Sequence, residues 1–476
     1  MRVRLPLHVV LAGIGVMFCT AANVAQADGA TPLHWAVHRD DLGTVKSLLA
    51  AGADAKAANR YGVTPLSLAC INGNAAIVRA LLEADADPNT TLRGGETVLM
   101  TAARTGRVEP LRDLLSRGAQ VNAAERKGQT ALMWAAAEGH AEAVQVLIEA
   151  GADIHKRLDS GFTAFLFAAR NGRIEVIRTL LKAGSDAGES IVTEKDDRPQ
   201  AGRAPVNGTS ALLLAVENGH FELAMQLVKA GADPNDQRSG FTPLHALTRV
   251  RKPNRGDDIS GQPPPAGSGR LTSLGFVREI VASSADVNAR LVRGEPDRAG
   301  LTRKGATPLL LASKTADIEL MKLLVELGAD PLAPNADGAT PLMAAAGLGC
   351  RAPDEEAGTE AECVEAVSYL LSLGADVNSV DKNGETPMHG AAYKSLPKMV
   401  QFLADRGAKI EVWNHRNKSG WSPILIAEGF RPGNFKPSAE TLDALHRVMR
   451  EAGITPPPPT PRPDPTKSPK GYENGR

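Results

Sequence analysis

The chain has 476 residues, with 54 Lys and Arg against 54 Asp and Glu, 43% apolar residues and only 4% aromatics. Balanced charge gives no global pull toward nucleic acid or a membrane surface, and the apolar content is that of a folding chain. Four cysteines, no two of them in a CxxC pair, exclude a disulfide-dense scaffold, a zinc ribbon and a thioredoxin-type redox site.

The N-terminal segment comes first. Arg2 and Arg4 give it a positive start, Leu5 to Phe18 is mostly apolar, and Ala25 and Ala27 are the small residues of a cleavage site before Asp28. This three-part pattern predicts a secretory signal peptide over 1–27. The apolar run is short for a membrane span, and the alternative it leaves open is an uncleaved anchor. Phe18 before Cys19 excludes a lipoprotein signal. No later run approaches the ~20 apolar residues of a spanning helix. The expectation is an exported protein, periplasmic or secreted, with no membrane segment in its mature form.

From Asp28 onward the chain repeats itself. Thr31-Pro32-Leu33-His34 returns as Thr64-Pro65-Leu66-Ser67 and again from Thr97, Thr130 and Thr163, each copy 33 residues after the last. Further copies start at Ser210, Thr242, Thr307, Thr340, Thr386 and Ser422, which makes eleven. Each opens a predicted helix. The Thr or Ser hydroxyl caps the unpaired N–H groups of the first turn, and Pro at the next position lacks an N–H that would have no partner there. Gly106, Gly139, Gly172 and Gly219 predict where this first helix stops. A second, amphipathic helix follows, with Val144, Leu147 and Ile148 as its stripe in the fourth copy. Then Gly-Ala-Asp, as at Gly151-Ala152-Asp153, turns the chain toward the next copy. One such unit cannot bury its own apolar faces; stacking the copies does.

These motifs make the chain similar to the ankyrin repeat family over residues 28–454. The resemblance implies an all-α, ankyrin-repeat solenoid of about eleven stacked helix-turn-helix repeats with β-hairpin fingers. Residues 455–476, with Pro456 to Pro459, Pro461, Pro463 and Pro465, predict an extended Pro-rich tail. Three steps exceed the period and hold insertions: around Thr193–Pro205, at Lys252–Gly269 together with Val292–Arg303, and at Arg351–Glu362. Insertions of this length are functional or disordered.

Histidines are the first candidates for chemistry. His34, His245 and His389 share the fourth motif position, and in the family that side chain hydrogen-bonds neighbouring backbone. His34 and His38 have a metal-compatible spacing, but no third ligand accompanies them. No GxSxG, Walker or dinucleotide-binding motif is present, and Asp54, Asp153, Asp233, Asp330 and Asp376 recur with the repeat as turn residues. Arg255-Gly256-Asp257 reads as chance, and the sequons at Asn89, Asn207 and Asn417 matter only in a eukaryotic chain. The expectation is no catalytic residue, no cofactor and no metal.

The resemblance also implies where a partner docks: on the concave face, built from the residue before each motif, the finger tips and the end of each first helix. In this chain those positions hold His38, Arg39, Tyr61, Arg104, Gln129, Phe162, Arg170, Asn171, Phe241, Arg249, Lys314, Tyr393, Lys394 and Trp421. They form a basic stripe dotted with aromatics, suited to an acidic protein partner; the alternative is a solvated edge. Trp35, Trp134 and Phe167 share one position in the first helix and are read as packing residues.

Cys350 and Cys363 flank the third insertion, and counting from either side places both where His140 stands in an uninterrupted repeat. An insertion that leaves and rejoins the stack at one place predicts a disulfide between them; two thiols are the alternative. Cys70 replaces a buried Ala and is expected reduced. The functional expectation is a monomeric, non-enzymatic scaffold that binds a protein. The competing class is a periplasmic enzyme or its accessory subunit, by analogy with exported bacterial members linked to oxidative-stress defence or toxin immunity.

Overall fold

The computed structural model describes residues 28–193, 207–254, 263–294, 301–353, 355–430 and 436–461. The signal peptide over 1–27, most of the first insertion, Arg255-Gly256-Asp257 and the tail from 462 lie outside the described residues.

All eleven motifs start helices for the reason their chemistry gives. In each, the backbone N–H three positions on donates to the leading Thr or Ser hydroxyl, which satisfies one orphan donor of the first turn. The helix that follows is buried on nearly every side, as over Val98–Ala103 in Val98–Thr105. The second helix of each repeat buries one stripe only. In Ala141–Glu149 that stripe is Ala143, Val144, Val146 and Leu147, while Ile148 is half-buried. Gly106 shows why glycine separates the two helices: its φ is 72°, and a Cβ there would run into the His140 ring of the next repeat.

Repeats are tied to one another by a recurring amide clamp. Asn122 Nδ2 donates to the Gly151 carbonyl at 3.0 Å while its Oδ1 accepts from Asp153 N at 2.8 Å. Asn89, Asn235, Asn288 and Asn378 do the same for their neighbours. The motif histidines add a second tie. His34 Nε2 meets the Val63 carbonyl and His245 Nε2 the Ala306 carbonyl, each at 3.0 Å. The fingers are tight turns: Thr91 with Thr97 and Ser190 with Ser210 form isolated bridges, and the described residues contain no strand.

The chain divides into two compact units, Met1–Ala215 and Val216–Arg476. The N-terminal unit stacks first helices Pro32–His38, Pro65–Asn72, Val98–Thr105, Ala131–Glu138 and Ala164–Arg170, each followed by a nine-residue second helix. Cys70 lies inside this stack, and burial pushes its thiol up to about 12. The C-terminal unit stacks Pro243–Arg251, Pro308–Lys314, Pro341–Ala345, Pro387–Tyr393 and Pro423–Ala427, and the amphipathic helix Ala439–Glu451 covers its end.

Three insertions fold onto the C-terminal unit. Ser268 Oγ meets His220 Nδ1 at 2.9 Å. The long finger pairs Leu291 with Ala306 and brings Leu301 to 1% exposure. The third insertion is strapped down around Glu356. Glu356 pairs with Lys314 at 3.3 Å and accepts from Arg351 N, and Lys394 Nζ donates to the Ala357 carbonyl at 2.6 Å.

The strap also explains why Cys350 and Cys363 are thiols here and not a disulfide. The insertion does not rejoin the stack where it left. Its end is absorbed into the next helix, Glu360–Ser372, thirteen residues long and started by a capping box between Thr359 and Glu362. Cys363 therefore sits in the first turns of that helix, with its Sγ 3.5 Å from Lys394 Nζ. Cys350 packs instead among Leu301, Leu348 and Tyr393.

Candidate functional site

In the N-terminal unit two cations of the expected stripe, Arg104 and Arg170, lie over aromatic rings. Arg170 ends its helix where its guanidinium reaches both Phe162 and Phe167, 5.1 Å from each centroid. The two rings are themselves 5.0 Å apart. Arg104, at the same repeat position, covers Trp134 at 5.5 Å and pairs with Glu96 at 3.5 Å. Repeat geometry is the cause. The residue before the motif and the residue ending the first helix stand eight apart and converge: Glu96 with Arg104, Phe162 with Arg170. A guanidinium over a ring is worth about 0.5–1 kcal/mol at an exposed site. Desolvation pulls the Arg170 guanidinium below its usual range.

The remaining N-terminal candidates are mixed. His38 and Arg39 are exposed, with the His38 ring edge-on to Trp35 at 6.2 Å. Tyr61 is 44% exposed, and Arg60 lies 4.7 Å over its ring. Gln129 is half-buried. Asn171 is a structural tie, its Nδ2 donating to the Ala137 carbonyl at 2.9 Å. Phe162, at 5% exposure, contributes mainly as the platform for Arg170.

The C-terminal unit repeats the motif once and then abandons it. Arg249 lies 4.6 Å over Phe241 and pairs with Glu217 at 2.7 Å. Beyond that repeat the same face is filled by the chain itself. Leu291 and Leu301 from the long finger and Leu348 and Cys350, just before the third insertion, join Leu310, Met343, Ala344 and Tyr393 in one buried apolar cluster. Phe241, Leu311 and Trp421 pack on its margin. Three expected partner residues are therefore committed internally. Lys314 holds Glu356, Tyr393 is 2% exposed, and Lys394, at 4%, is the strap's anchor. No sequence pattern marked Lys394 as buried; the clue was an acidic insertion one repeat away from it.

Tyr393 belongs to a network that sequence reasoning missed. Its hydroxyl donates to Glu385 Oε1 at 3.1 Å, and Asn417 Nδ2 donates to that oxygen at 2.7 Å and to the Tyr393 hydroxyl at 3.1 Å. Burial, opposed by these hydrogen bonds and aided by Asp381, raises the Glu385 carboxyl to about 8. Burial lowers His245 to about 4 and His389 to about 3, the latter with help from His415.

Among the described residues no three His, Cys, Asp or Glu side chains gather in a way that could hold a metal ion, and no helix is long and apolar enough to cross a membrane. Family models for ankyrin repeats match residues 10–92 and 99–191 as multi-copy arrays, 207–238 and 304–336 as single repeats, and 357–404 as a further array. No curated protein matches the chain. With these matches over most of its length, and with eleven capped helix pairs, several of them tied by the same amide clamp, the chain belongs to the ankyrin repeat family.

Proposed function

We propose that this chain is an exported, non-enzymatic scaffold that binds a protein partner on the concave face of its N-terminal unit. The observation that carries the reading is the contrast in how one repeat position is used. Arg104 and Arg170 stand on aromatic platforms on a regular face, whereas Lys314, their counterpart, already holds Glu356. A rigid surface with pre-set guanidinium groups and rings loses little side-chain freedom on binding. The Lys314–Glu356 pair also supplies the chemistry of the partner: an acidic segment lying across the ends of the first helices. Glu96 neutralises part of the stripe, so shape and planar stacking share the recognition with charge.

The test is capture from the native exported fraction with wild-type protein and with an Arg104→Glu, Arg170→Glu double variant. The expected result is one protein retained by the wild type, weakened in the variant together with its salt dependence, at unchanged helicity. Equal retention by both proteins overturns the assigned face. N-terminal sequencing of the mature protein is expected to begin at Asp28, and an intact Met1 on a membrane-bound product overturns export by a cleaved signal.

A further inference from the structure

The C-terminal unit contains a buried carboxyl that pairs with no cation among the described residues. Glu385 precedes the motif at Thr386, where Glu96 and Phe162 stand in their repeats and meet an arginine eight residues on. Here the eighth residue is Tyr393, a phenol. Glu385 is 3% exposed. Its Oε1 takes both donors, from Tyr393 and Asn417, and its Oε2 is buried with no hydrogen-bond partner among the described residues. The groups around it come from three elements. Its own finger adds a second carboxyl, Asp381, whose Oδ2 is likewise buried and unpartnered. The first helix of its repeat adds Tyr393 and His389, and the last finger adds Asn417 and His415, whose Nε2 meets the Gly384 carbonyl at 3.0 Å. Asp337 of the preceding finger acts on Asp381, and Arg416 and Lys418, which flank Asn417, are exposed.

Asn417 organises the last finger as well. Its Oδ1 accepts from Trp421 N at 3.0 Å, and its own N–H donates to the Trp421 carbonyl at 2.9 Å. One amide thus joins the finger that leads into the last repeat to the carboxyl of the repeat before it.

We propose that Glu385, Tyr393 and Asn417 form a proton-held latch on the end of the repeat stack, tight while Glu385 keeps its proton and loosened when the proton leaves. A carboxylate in this place would put a charge on a buried oxygen without a donor, next to Asp381. The latch opens so that water can reach that charge. In the open state the carboxyl returns to its ordinary value near 4.5, whereas in the closed state it is held up to about 8. Linkage then fixes the sign: closure is strongest below the open-state value, weakens as pH rises toward the closed-state value, and is level above it.

The experiment is backbone amide exchange in the full chain, wild type against Glu385→Gln, read at residues 417–421 from pH 5 to 9.5 and corrected for intrinsic exchange. Glutamine keeps the shape and the acceptor and cannot ionise. Taking the ratio of the two proteins cancels the histidines, which titrate in both. The expected result is that Glu385→Gln out-protects the wild type by a factor that grows up to about tenfold per pH unit and levels off near pH 8. A ratio independent of pH overturns the proposal, because a merely structural glutamate would give that. Tyr393→Phe checks the network separately: it is expected to loosen residues 417–421 at every pH while leaving Glu385 the titrating group. Loss of the pH-dependent ratio in a Tyr393→Phe background would place the proton elsewhere and also overturn it.

Discussion

Arg104 and Lys314 occupy the same place in their repeats, seven residues after the capping threonine, and they meet different fates. Arg104 lies on Trp134 and pairs with Glu96 of its own repeat, while Lys314 pairs with Glu356 of an insertion. In the N-terminal unit the steps from Thr31 to Thr163 are regular, so no insertion separates those repeats. In the C-terminal unit a long finger and a strap cover the first helices, and what would be a groove becomes core. The same repeat therefore yields a recognition face or a thicker hydrophobic core, depending on whether a loop has been added nearby.

If Leu301 fills the C-terminal face as a core residue does, its removal should have the largest effect. It is 1% exposed and packs against inner-helix residues of that unit. Leu301→Ala is expected to lower the stability of the C-terminal unit by about 2–5 kcal/mol, read as lost amide protection over 308–345 with the N-terminal unit unaffected. A change under about 1 kcal/mol would mean that the finger merely rests on the surface, and the contrast between the two units would collapse.

Acid should separate the units next. His245 and His389 are both in the C-terminal unit and must be neutral to stay buried. Each is lowered from 6.5, to about 4 and about 3, chiefly by burial. A lowered histidine contributes stability that is present above 6.5 and lost as pH falls toward the folded-state value. The combined loss is of order several kcal/mol, with an upper bound set by about 1.4 kcal/mol for each tenfold change in proton affinity between the folded and unfolded chain. Glu385 acts in the opposite direction, so the C-terminal unit should be most stable near pH 6.5. In the N-terminal unit the lowered group of this kind is His34, in the first repeat. Thermal melts between pH 7 and 4 are expected to show the C-terminal unit unfolding first, and His245→Gln should flatten its acid limb. Parallel loss in the two units would remove the distinction.

How much of this was legible in the residues follows from where the information lies. Capping Thr or Ser residues, helix-ending glycines and the period of 33 are local signals, each with its own physical reason; all eleven motifs start a helix, and the glycines and the period hold wherever no insertion or substitution interrupts them. The meeting of Glu96 with Arg104 and of Phe162 with Arg170 follows from the repeat as well, because regular repeats place equivalent positions alike. The C-terminal face was not legible. Lys394 reads as a groove cation in its own repeat and becomes a buried anchor only because a loop 37 residues earlier reaches it. The expected Cys350–Cys363 pairing failed for a related reason. Counting positions assumes that an insertion leaves and returns at one point, whereas Thr359 and Glu362 start a new helix turn inside it. Tertiary placement of inserted segments has no periodic signal to announce it.

The smallest effect concerns what the two units share. The amide clamp runs through both and is missing at several repeats, among them at His155 in the first unit and at Leu332 in the second. At these two positions the backbone already has the clamp's shape: His155 N donates to Asp153 Oδ1 and Leu332 N to Asp330 Oδ1, each at 2.9 Å, as Asn288 N donates to Asp286 Oδ1 at 2.8 Å. An asparagine side chain placed there would find the Gly184 carbonyl and Asp186 N in the first case, and the Gly374 carbonyl and Asp376 N in the second. Leu332 is also 45% exposed, so replacing it gives up little burial. Two added hydrogen bonds at a half-exposed site should stabilise by about 0.5–1.5 kcal/mol, and His155→Asn and Leu332→Asn should gain about equally. Denaturant midpoints of the two variants measure this directly. An equal gain shows that the repeat backbone is the same in both units and that only the inserted segments set them apart. A gain at His155 with none at Leu332 would show that the insertions have also altered the finger side of the C-terminal stack, which the matching turn geometry at Leu332 argues against.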